Sequence, residues 1–160
     1  MIYDKRKHYA KEAPCAGGGV SMALLILQLC LLLWFFGCIV SYKTEKWTLV
    51  DGVGLKSAEF GMFVFYAIGM LLYHGYRPVG KWFLLAVLVF WIVVQFFCHW
   101  FYTIWGASEK KLKGYNECFR HTVRIIPASD TRLIPDLYHI VLHLLLVLNL
   151  GVLIGSQGGT

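Results

Sequence analysis

Pro135-Asp136-Leu137-Tyr138-His139-Ile140-Val141-Leu142-His143 opens an apolar run that continues through Asn149 to Gly155. The run is about 20 residues, which at 1.5 Å per residue matches the roughly 30 Å hydrocarbon core of a bilayer. It reads as a membrane-spanning helix, with Pro135 suited to a helix start and Asp136 to the positive helix end. Yet it carries an Asp, two His and an Asn. Polar and ionisable groups inside a membrane are costly, so each calls for a partner or a task.

Working outward, three more apolar blocks appear. Residues 20–40 carry no charge and one amide, Gln28; the block is longer than the core of a cleaved signal peptide. Residues 58–74 are short for a span, and residues 82–105 are bracketed by Trp82 and Trp105 as an aromatic belt would place them. With 58% hydrophobic and only 15% charged residues, the apolar ones gathered in such blocks, a water-soluble fold is not expected. The spans about 20–40, 58–74, 82–105 and 136–155 predict a single all-α membrane domain over residues 1–160. It is a four-transmembrane-helix bundle with both termini on the same side. The Gly75–Lys81 stretch reads as a tight basic turn. The 106–134 connection, with Tyr115, Phe119, Val123, Ile125 and Ile126, is expected on the membrane surface or capping the bundle.

The charge of +6 sits in termini and loops beside the spans, where it faces lipid phosphates or sets topology; nucleic acid is not an expected partner. Lys5, Arg6, Lys7 and Lys11 before the first span favour the termini in the cytoplasm, while the 41–57 and 106–134 connections on the opposite side hold more basic residues in total. Cys30, Cys38 and Cys98 fall inside apolar spans, Cys15 and Cys118 in polar segments on opposite sides. No C-x-x-C occurs, so neither a redox pair nor a zinc knuckle is indicated. Gly151-x-x-x-Gly155, with Gly19 and Ala23 at similar depth, predicts close helix contact within the bundle.

Depth along the spans gathers the polar residues at the end opposite the termini. His139 and His143 lie roughly 6 and 12 Å in from Pro135. His99, six residues before Trp105, falls between them on the neighbouring helix, with Gln95 one turn deeper; Glu59 is at the mouth of the second span. His139 and His143 at i, i+4, with His99, could hold a zinc ion, with Asp136 fixing the His139 tautomer and Glu59 as a fourth ligand or general base. A haem would need its axial ligands on opposite sides of the ring, so His99 with His139 or His143. A metal near the interface would suit hydrolysis of an amphipathic lipid. Gln95, Arg124 and Arg132 could contact a ligand, the two arginines an anionic head group. His139-x-x-x-His143 in a last membrane helix is similar to the zinc motif of the adiponectin-receptor and alkaline-ceramidase superfamily. The likeness spans five residues, and those proteins have seven spans and further Ser and His ligands. Two functions are thus expected. The first is a non-enzymatic subunit, transporter or channel protomer, or accessory factor, alone as a homo-oligomer or in a larger membrane complex, with a His-lined pocket. The second is a metal- or haem-binding membrane protein using His99, His139 and His143.

Overall fold

The computed structural model describes residues 22–156. The basic segment holding Lys5 to Lys11, and Gly19, lie outside them. Five helices carry the fold: α1 Met22–Phe36, α2 Ala58–Gly75, α3 Arg77–Trp105, α4 Glu109–Cys118 and α5 Leu137–Gly155. Three of them, α2, α3 and α5, are long and apolar enough to cross a membrane. Described from Met22, α1 is equally apolar but runs 15 residues, about 22 Å.

The helices start where capping chemistry allows. Ser57 accepts the Phe60 N–H through its hydroxyl at 3.0 Å and caps α2. Asp136 does the same for α5, accepting the His139 N–H at 3.0 Å, so the expected span start at 136 is a cap and the helix begins at Leu137. The chain reversal expected over residues 75–81 takes one residue, Tyr76. Pro78 lacks an N–H and has a helical φ, so it fits the first turn of α3, and the helix begins at Arg77. A reversal this short presses the start of α3 onto the end of α2. Gly80 lies against the backbone of Leu72 and Tyr73, and Gly69 lies against the Leu84 side chain. Those glycines make the close helix contact. A Cβ at Gly151 or Gly155 would meet no described atom within 4 Å, so the predicted contact at that pair is absent among the described residues.

Helices α1, α2, α3 and α5 pack in cyclic order around one core, with α2 against α1 and α3, and α5 between α1 and α3. Leu31, Phe35, Tyr66, Leu88, Leu142 and Leu146 fill its centre. Each of the four turns large apolar side chains outward as well, for example Leu33, Leu71, Phe90 and Leu144. Such a surface fits lipid better than water. The arrangement is compatible with an integral membrane protein.

At the end of the bundle where α5 begins, the connections build a cap. Residues Tyr42–Lys43 and Thr48–Val50 form a small antiparallel hairpin, β1 and β2. The polar connection 41–57 gave no sign of it. Tyr42 folds back so that its hydroxyl donates to Leu33 O at 3.0 Å, and its ring covers Gly37 just after α1. The Val123 N–H donates to Thr48 O at 3.0 Å, and the Leu137 N–H to Val123 O at 2.8 Å. The long connection is thereby stitched to both the hairpin and the start of α5.

Candidate functional site

One turn before its end, α3 departs from regular α-helix. Residues Phe96–Trp100 form a π-helical segment, and His99 sits in it, 7% exposed. A π turn carries one extra residue and is often found at functional positions. The Thr103 hydroxyl bridges the bulge, donating toward His99 O at 3.1 Å and Leu133 O at 2.6 Å. Leu133 is the first of four buried residues leading into α5. The α3 end and the α5 start are therefore fixed to each other, and their histidines meet. The His99 and His139 rings lie 4.0 Å apart between centroids at an interplanar angle of 31°.

Each ring is anchored from its far side. His139 Nδ1 lies 2.6 Å from Asp136 Oδ1, the same oxygen that caps the helix, and Asp136 is 1% exposed. With the carboxylate as acceptor, Nδ1–H donates and the other nitrogen, Nε2, is turned elsewhere. His99 Nδ1 lies 2.9 Å from the Tyr115 hydroxyl of α4. Burial above all, then the Asp136 charge, pushes the Tyr115 hydroxyl above its ordinary value, so it stays protonated at neutral pH. Phe119, one turn on, closes edge-on over His139 at 5.2 Å. The cluster is thus a chain of contacts, Tyr115 to His99 to His139 to Asp136, running from the cap through α3 to α5.

The remaining expected site residues fall as follows. His143 does not join the pair; its ring packs edge-on against Trp100 at 5.8 Å, and its buried Nδ1 has no hydrogen-bond partner among the described residues. Gln95 is buried one turn before His99. Glu59 stands in the first turn of α2, within electrostatic reach of Cys38 after α1. Arg124 is held within the cap by Asn116 Oδ1 at 3.1 Å and Phe119 O at 3.5 Å. Arg132 lines an open cavity beside Trp105. Among the described residues no three His, Cys, Asp or Glu side chains come together as a metal-holding group. The two rings lie with centroids 4.0 Å apart, tilted by 31°, whereas joint ligation needs in-plane nitrogen lone pairs converging at about 2 Å from one ion. Nor does a macrocycle fit between two rings whose centroids are 4.0 Å apart, as axial ligation by His99 and His139 would require.

Sequence reasoning placed His99, His139 and Asp136 together but missed Tyr115 and Phe119 as their partners. Their i, i+4 spacing in a segment helical from Glu109 was the available signal. At the other end of the bundle Gln28, His74 and Asn149 were legible as polar residues, but not Tyr66 or the bonds among them. There His74 Nε2 lies 2.9 Å from Gln28 Oε1, the Tyr66 hydroxyl donates to Asn149 Oδ1 at 3.2 Å, and Asn149 Nδ2 donates to Leu27 O at 3.1 Å. Helices α1, α2 and α5 are joined by these bonds.

Removing only the Tyr115 hydroxyl tests the link from cap to bundle. Tyr115→Phe is expected to cost about 1 kcal/mol, the net worth of one buried hydrogen bond. Amide hydrogen exchange in α4 should quicken more than in α2. Equal change in both helices would show that the bond does not fasten the cap.

Fold and site together define a helical protein with membrane-compatible helices and a buried histidine cluster at one end. Comparison with protein-family models, curated proteins and solved structures gives no match.

Proposed function

We propose that this chain is a small, non-enzymatic multi-pass membrane protein, a subunit or accessory factor of a membrane assembly. In this reading α1 crosses the bilayer with α2, α3 and α5, both termini lie on the cytoplasmic side, and the cap formed by the two connections faces the other side. The observation that carries it is how the polar groups at the capped end are used. Tyr115, His99, His139 and Asp136 bind one another and tie cap to helices, which is what a rigid partner-facing end requires. A catalytic centre would instead keep a nucleophile or an open ligand position facing substrate.

His143 separates this reading from a metal or haem protein. As a half-buried ring whose Nδ1 has no hydrogen-bond partner among the described residues, it adds no hydrogen bond that a leucine would lose. His143→Leu is therefore expected to melt in detergent at or slightly above the wild-type temperature. The purified wild type is expected to hold well under one equivalent of metal by elemental analysis, and no haem absorption. One equivalent of either, lost in His143→Leu, would overturn the non-enzymatic reading. Extraction in mild detergent should give a particle larger than a monomer; a lone monomer would exclude a stable subunit.

A further inference from the structure

Helix α3 ends at Trp105 because Gly106 adopts a positive φ of 86°, a conformation open to glycine and strained for other residues. The chain then turns at once into α4, with Ser108 at its N-cap position. The stretch before α5 runs alongside, and the Ala107 N–H donates to Thr131 O at 3.1 Å. Between these three pieces lies an open cavity of about 750 Å³. Its walls include Tyr102, Trp105, Ser108, Lys111, Thr131 and Arg132, and no acidic residue lines it.

Two cations thus share one cavity. Lys111 Nζ lies 3.6 Å above the Tyr102 ring, which positions it. Neither Lys111 nor Arg132 is ion-paired with another described residue. The Ser108 hydroxyl makes no cap bond to its helix and remains a donor. Glu109 follows it in the first turn and is not among the lining residues. Lys, Arg and hydroxyl donors around an open space suit a phosphate, the arginine as a two-pronged donor and the lysine as a point charge.

Height along α3 says where such a phosphate could come from. Trp82 and Trp105, 70% and 64% exposed, stand 23 residues apart, about 34 Å. Interfacial tryptophans mark the edges of a hydrocarbon layer about 30 Å thick. The cavity beside Trp105 therefore lies at head-group level, if α3 crosses the bilayer as read above.

We propose that this cavity binds a phosphate group, carried by an anionic phospholipid of the adjoining leaflet or free in solution. The inference rests on the membrane-spanning reading of α3, which alkaline carbonate extraction tests separately: release of the protein from membranes would sink that reading first. The site itself is tested with the full chain in nanodiscs of phosphatidylcholine containing a minor share of phosphatidylglycerol. Co-purifying lipid is measured by mass spectrometry. Wild type is expected to enrich phosphatidylglycerol about thirtyfold, as two cations near a charged lipid surface would. Lys111→Gln/Arg132→Gln should lose that enrichment, while Lys110→Gln/Lys113→Gln, the same charge change outside the cavity, should keep it. Thermal unfolding confirms that both variants are folded, and Arg132→Gln alone serves if the double variant is not. Millimolar inorganic phosphate displacing the lipid, or binding in its place in pure phosphatidylcholine, would assign the site to free phosphate. Equal loss in both double variants, or no enrichment and no phosphate binding in wild type, would overturn it.

Discussion

Gly80→Ala is expected to be among the most damaging single substitutions in this chain. The one-residue connection at Tyr76 leaves α2 and α3 no room to separate where they begin to run side by side. A methyl group at position 80 would fall inside the backbone of Leu72 and Tyr73, which has no rotamer to move. Overpacking a core costs about 1–3 kcal/mol when side chains can adjust. Here the helices themselves must part, so a loss of about 3 kcal/mol or more is expected. The midpoint of denaturation in detergent, followed by circular dichroism, measures it. Gly151→Ala is the control, since its added methyl meets no described atom and alanine is the better helix former. Its midpoint should stay level or rise slightly. Similar midpoints for the two variants would mean that the α2–α3 crossing is not held by Gly80.

Asp136→Ala comes next. One buried oxygen accepts two bonds, from the His139 backbone N–H and from the His139 ring. Losing the N-cap costs about 1 kcal/mol and losing a hydrogen bond to a charged group about 1.5–3 kcal/mol. A total near 3 kcal/mol is expected, because both donors are left unpaired in a buried place. Asp136→Asn keeps an acceptor for the cap while giving up the charge, so it should lose about half as much. His139→Phe keeps the cap and removes the ring bond. Combined with Asp136→Asn it should show a coupling of at least about 1 kcal/mol. Losses below about 0.5 kcal/mol for Asp136→Ala would show that the cluster does not hold α5 in place.

These two residues were not equally legible. Asp136 announced itself: an acid after Pro135 and before an unbroken apolar run is a helix start by local chemistry. Its neighbour His139, three residues on, is in reach of any helical conformation. Gly80 sat in a stretch, Gly75 to Lys81, whose Gly and Pro read as a loop. Nothing local distinguishes a glycine that bends the chain from one that lets two helices touch. Gly151 and Gly155 matched a packing motif, but the helix turns that face away from the described neighbours. Similarly, His99 could be assigned a depth by counting residues, but its ring contact with His139 depends on the π segment Phe96–Trp100. An extra residue in the turn rotates everything after it, and no composition signal marks that turn.

The sequence by itself determined the apolar runs, a helix start at Pro135-Asp136, and the gathering of His99, His139 and Asp136 at one end. All of these follow from chemistry local to the chain: hydropathy, 1.5 Å of rise per residue, and side-chain oxygens beside free helix N–H groups. Tertiary structure alone decided that His143 packs on Trp100, that Tyr115 and Phe119 close the histidine pair, and that Lys111 and Arg132 share a cavity. Each of these depends on how helices rotate and cross. Close packing of whole faces sets that rotation, and no single segment carries the information.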